Sequence, residues 1–151
     1  MEGLLGFELP TEVDGVLRLA GALLFGSIIG LDRASKNKPA DVRTFALVSM
    51  GAALFTLVGI QGFGPGDPGS RVAAQIVTGI GFLGAGTIIV LRGHVVGLTT
   101  AAGIWTVAAV GMAFGSGLWL LGVASGLLVV VVLRLTALEA AVRDNGSDDE
   151  G

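Results

Sequence analysis

RVAAQIVTGIGFLGAGTIIVLRGHVVGLTTAAGIWT, from Arg71 to Thr106, is the stretch whose reading decides the fold. It opens with an apolar run of about twenty residues, Val72–Leu91, that carries Gly79, Gly81, Gly84 and Gly86. A surface helix of a soluble domain has one apolar stripe. This run is apolar all round, and at ~1.5 Å per residue it covers roughly the ~30 Å hydrocarbon core of a bilayer. Its glycines would weaken a helix in water, but in lipid they let neighbouring helices approach closely. The run therefore reads as the central, close-packed helix of a small membrane bundle. Arg92-Gly93-His94 makes a short polar turn, and Gly97-Leu98-Thr99-Thr100-Ala101-Ala102 opens a second apolar run.

The rest of the chain agrees with a membrane setting. Of 151 residues, 52% are hydrophobic and only 14% charged, and the mean hydropathy is +0.83. Soluble domains are about a quarter charged. The length suits one domain. There is no cysteine, which excludes disulfides and thiolate metal sites, and His94 is the single histidine, which excludes a multi-histidine site within one chain. The first residues lack a basic region ahead of an apolar core, so the first segment is expected to act as an uncleaved anchor.

Five apolar segments are predicted: Val13–Leu31, Thr44–Phe63, Val72–Leu91, Leu98–Gly115 and Gly117–Leu135. The last two are separated by Gly115-Ser116-Gly117, read as a tight turn because one continuous helix would overshoot the bilayer. This gives an all-α polytopic bundle over residues 1–143, followed by an acidic tail, 144–151, expected to be disordered. Seven of the nine Lys and Arg residues (Arg33, Lys36, Lys38, Arg43, Arg92, Arg134 and Arg143) fall on one side of this layout. The positive-inside rule then puts the N-terminus outside and the C-terminus in the cytoplasm. Arg18 lies about a turn inside the first segment, where it either snorkels to the interface or pairs with Asp14 four residues earlier. A parallel two-helix repeat is a further expectation, because Gly26–Leu31 resembles Gly86–Leu91 and Val42–Ala46 resembles Leu98–Ala102, although glycine-rich membrane segments also resemble each other by chance.

Arg71, then Gln75-Ile-Val-Thr-Gly79-Ile-Gly81-Phe-Leu-Gly84-Ala-Gly86-Thr and Gly97-Leu-Thr-Thr-Ala-Ala-Gly-Ile-Trp105, resembles the MgtC/SapB family of prokaryotic inner-membrane proteins. So do Gly30-Leu31-Asp32-Arg33 and Val42-Arg43-Thr44-Phe-Ala-Leu-Val, in the family's order, across roughly Val16 to Phe114. The resemblance implies a membrane protein linked to growth at low magnesium, in some members through restraint of the F-type ATP synthase. It implies no enzyme and no cofactor. Two departures stand out. Many members have Glu where this chain has Asp32, and many carry a soluble domain where only about sixteen residues follow Leu135 here.

Gly79-Ile-Gly81-Phe-Leu-Gly84 matches the dinucleotide-binding pattern. That reading fails, because no strand precedes the pattern and no acidic residue stands between Asp67 and Glu139. Gly26, Gly30, Gly79, Gly81, Gly84 and Gly86 are instead expected at helix contacts, within the chain or between copies of a homo-oligomer. The middles of the segments hold no Asp, Glu, Lys or His, which argues against a magnesium path through one chain. The polar residues gather at the basic boundary: Asp32, Arg33, Arg43, Thr44, Arg92, Thr99 and Thr100. Asp32 is expected to pair near Arg33 or with Arg43, and Thr99 or Thr100 to cap the fourth segment. The boundary is either a contact face for a partner or an ordinary basic membrane edge. The favoured function is a non-enzymatic regulator that contacts lipid and another membrane protein, with no nucleic-acid role. The alternative is a magnesium or other ion transporter.

Overall fold

The computed structural model describes residues 11–34, 40–62, 69–91 and 93–147, with side chains placed between 12 and 135. It is an all-α bundle with one small hairpin. The order is α1 (Thr11–Ala34), α2 (Val42–Gln61), α3 (Ser70–Ala85), β1 (Ile89–Leu91), β2 (His94–Val96), α4 (Leu98–Gly115) and α5 (Trp119–Ser147). Three helices are long and apolar enough to cross a membrane: Glu12–Ala34, Val42–Gln61 and Leu98–Gly115. The apolar part of α5, Trp119–Leu135, is shorter, and the 16 residues of α3 cover about 24 Å. α5 runs to Ser147, past the expected boundary at Arg143. The Gly-Pro-rich loop after α2 and the last four residues of the acidic tail lie outside the described residues.

The helices alternate in direction, as their glycine contacts show. A Cβ on Gly26 of α1 would lie 2.7 Å from the Phe45 carbonyl of α2, and one on Gly30 would lie 2.6 Å from the Val42 α-carbon. On α4, Gly111 abuts the Ser49 carbonyl, and a Cβ on Gly115 would lie 2.5 Å from that of Ala53. α1 and α4 therefore press backbone to backbone against α2, a closeness that only glycine permits. Ile29, Phe45, Ile104, Val107, Val129 and Leu133 form the main buried cluster, and Ala22, Ala53, Val110 and Phe114 form a second.

The central helix is α4, which touches all four others, and the expectation that segment three holds the centre is overturned. α3 sits at the side of the bundle. A groove of about 570 Å³ separates it from α2, and a smaller one of about 220 Å³ from α4. Added Cβ atoms at Gly79 and Gly81 would meet nothing within 4 Å, and one at Gly84 would make ordinary contact, 3.4 Å from the Ala101 carbonyl. Gly86 meets only carbonyls of its own last turn. Of the six glycines expected at helix contacts, Gly26 and Gly30 pack tightly inside the chain, Gly84 loosely, and Gly79, Gly81 and Gly86 pack on no other helix of it.

Segment three also ends early. Gly86 closes α3, with its N–H donated to the Phe82 carbonyl, and the Thr87 hydroxyl donates to the Gly84 carbonyl 2.8 Å away. The following Thr87-Ile88-Ile89-Val90 is β-branched and favours strand. β1 and β2 pair antiparallel, Ile89 with Val96, Val90 with Val95 and Leu91 with His94. Gly97, at φ +95°, returns the chain to α4, and a Cβ there would collide with the Thr87 carbonyl. The proposed repeat holds for helix order and not for its first string: Gly26–Leu31 is helical, whereas Gly86–Leu91 leaves α3 to enter β1.

The turn between α4 and α5 is tight, as expected. Gly117, at φ +76°, donates to the Phe114 carbonyl and Leu118 to the Ala113 carbonyl, the paired bonds of a Schellman stop. Arg18 completes this turn. Its guanidinium donates to the Gly115 carbonyl at 3.1 Å and pairs with Asp14. Arg18 thus does more than snorkel: it supplies a donor to one of the carbonyls left open at the end of α4.

Candidate functional site at the capped end of the bundle

The end of α1, the start of α2 and the start of α4 lie together. Gly30 rests on Val42, and Gly103 on the Phe45 ring. This brings Asp32, Arg33, Arg43, Thr44, Thr99 and Thr100 to one end of the bundle. Arg92 lies outside the described residues; in sequence it separates β1 from β2.

Asp32 and Arg33 form an ion pair of 2.8 Å, with side chains 9% and 3% exposed. Sequence neighbours on a helix usually point apart. Here both side chains turn into the packed helix end, where little water competes and their attraction is stronger than in bulk. Arg33 Nε is buried and has no hydrogen-bond partner among the described residues. Of the two expected pairings, the structure shows the one with Arg33; Arg43 is exposed.

The capping expectations need correction. α2 is capped by Asp41, whose carboxylate accepts from the Thr44 N–H at 3.1 Å and from the Thr44 hydroxyl at 3.2 Å. Thr44 is therefore the cap's partner. α4 is entered through Gly97 with no side-chain cap bond. Thr99 and Thr100 lie inside its first turn, two and three positions past the cap at Gly97, with Thr99 exposed and Thr100 buried. Asp41 went unnoticed in the sequence, although an Asp directly before an apolar run is a standard helix-start signal.

The Thr44 N–H, its hydroxyl and the nearby Arg43 charge hold the Asp41 carboxyl below the usual carboxylate range, the N–H bond foremost. A depressed folded-state pKa contributes stability above the unfolded value of about 3.9 and loses it as pH falls through the folded value. Thermal unfolding of an Asp41→Asn variant, which keeps a neutral cap, should therefore lag behind the parent at neutral pH, and the gap should close as acid protonates the parent's carboxylate. Equal midpoints at neutral pH would mean that the carboxylate charge adds nothing.

Among the described residues no three His, Cys, Asp or Glu side chains gather. The end of the bundle is thus a polar surface with a buried ion pair beneath it and exposed Arg43 and Thr99 above.

Comparison with known proteins agrees with this architecture. The MgtC family model matches residues 19–140. YhiD of Escherichia coli strain K12, named "Putative magnesium transporter YhiD", is 43% identical over 127 residues, 80% of this chain and 59% of that protein. MgtC of Brucella abortus strain 2308 is 50% identical over 100 residues, 66% of this chain and 42% of MgtC. SrpB of Synechococcus elongatus is 43% identical over 129 residues, 77% of this chain and 71% of SrpB. The chain thus spans only part of these relatives. No solved structure matches it. A family match over most of the chain, with the family's signature strings lying on α1 to α4, leads to one assignment: the chain belongs to the MgtC family.

Proposed function

We propose that the chain is a non-enzymatic regulator of magnesium-limited growth or membrane energetics, acting through contact between the capped end of the bundle and another membrane protein. The closed axis of the bundle carries this reading. Gly26, Gly111 and Gly115 bring the backbones of α1, α2 and α4 into contact, and Ser49 at that contact is fully buried. These contacts leave no open space between the backbones of α1, α2 and α4 at those positions within one chain. Family resemblance suggests the F-type ATP synthase as the partner. Arg43→Ala and Thr99→Ala change exposed side chains, so they should abolish support of growth at low magnesium while membrane abundance stays constant. Activity that falls only in step with protein level would make this face structural.

The second reading, magnesium transport, is favoured by the name of YhiD. Proteoliposomes holding only this protein decide between the two. The regulatory reading expects no magnesium uptake above that of empty vesicles, and saturable uptake would overturn it. The capped end is assigned to the cytoplasm by the seven-to-two split of basic residues. A reporter active only in the periplasm, fused after Arg143, should stay silent; activity would reverse the orientation.

A further inference from the structure

The β1–β2 hairpin is an unusual object at the edge of a membrane bundle. Ile89, Val90, Leu91, Val95 and Val96 are all apolar and between 42% and 72% exposed. The register puts Val90 and Val95 on one face, and Ile89, Leu91, Val96 and His94 on the other, so one face is apolar throughout and the other is apolar up to His94 at its far end. A lone two-stranded ribbon of this kind is marginal in water. Its base is fixed where Gly97 meets the Thr87 carbonyl, at the level where α3 ends and α4 begins. Its far end carries His94, paired with Leu91.

We propose that this hairpin is a membrane-seated finger, lying in the interfacial layer of the bilayer. Three residues per strand give about 10 Å, comparable with the roughly 5–10 Å depth at which interfacial elements sit. The outer strand edges carry unpaired N–H and C=O groups. Hydrocarbon would leave these unsatisfied, whereas headgroup water and phosphate oxygens pair with them, and this sets a shallow depth. A strand from a second copy would also satisfy an edge but would leave both faces bare, so lipid is the better occupant. The inference holds whichever side of the membrane this end faces.

The chain has no cysteine, so Val90→Cys and Leu91→Cys each provide a single labelling site, one on each face. Spin-labelled protein in nanodiscs of equal parts phosphatidylglycerol and phosphatidylcholine is the test sample, and a label at exposed Leu47 on α2 is the lipid reference. Both hairpin labels should be relaxed more by oxygen than by a water-soluble nickel chelate, as at Leu47. Nickel access equal to that of free label would place the hairpin in water and overturn the proposal. So would labels closed to both relaxants and broadened by a second label, since that describes a hairpin paired with another copy.

Discussion

Gly111→Val should all but abolish folded protein in detergent, while Gly79→Val should leave yield and thermal midpoint close to the parent's. Both are glycines in apolar helices, and composition does not distinguish them. Gly111 lies against the Ser49 carbonyl, so a side chain there meets fixed backbone; Gly79 opens onto the groove beside α3. Side chains relax by changing rotamer, but two helices in backbone contact relax only by moving apart, which opens the cluster around Val110 and Phe114. The loss should exceed about 4 kcal/mol, the range reserved for gross overpacking or lost core contacts. Size-exclusion profiles of the two variants expressed side by side provide the measurement. Equal yields would show that α2 and α4 are not in backbone contact.

Asp32→Ala should be the next most damaging change. It leaves the Arg33 guanidinium, 3% exposed, as a buried charge without its partner, and such breaks typically cost about 3–5 kcal/mol. The decisive measurement is a double-mutant cycle. Asp32→Ala with Arg33→Leu removes both charges and should recover much of the loss, because an apolar replacement of a buried pair is often close to neutral. Asp32→Glu, the residue that many sequences of this family resemblance carry, should be tolerated. If the double variant is less stable than Asp32→Ala alone, the pair does not act as a unit.

The five helices were legible because each follows an apolar run of bilayer length, and the bundle class follows from those runs alone. Their ranking was not legible. Val72–Leu91 holds conspicuous glycines, but a glycine reports only that a close approach is permitted; the partner backbone decides whether one occurs. The better cue to the central helix was in α4, which is apolar all round and carries the Gly111/Gly115 pair. The hairpin was hidden inside an apolar run because its side chains are as hydrophobic as those of a helix. Its cues were the β-branched residues after Gly86 and the Arg92-Gly93 pair between two short apolar stretches. At the capped end, the sequence left Asp32 two partners, near Arg33 or at Arg43, because charges at a membrane boundary seek one another, and the fold shows the first. The entry to α4 lies two to three positions before the threonines expected to cap it, because Gly97 stands just outside the apolar run, and the Asp41 cap of α2 stands outside its run in the same way.

The bond from Arg18 to Gly115 spans 97 residues of chain, and this bears on how the protein is made. α1 leaves the ribosome first, carrying a guanidinium whose acceptor has not yet been synthesised. At about 5–20 residues per second, the wait lasts roughly 5–20 s. During it Asp14, one turn away, is the only one of the two partners available. A nascent α1 therefore has reason to stay near the insertion machinery or the lipid headgroups until α4 arrives, and translation speed between codons 18 and 115 becomes a variable in the yield of correctly inserted protein.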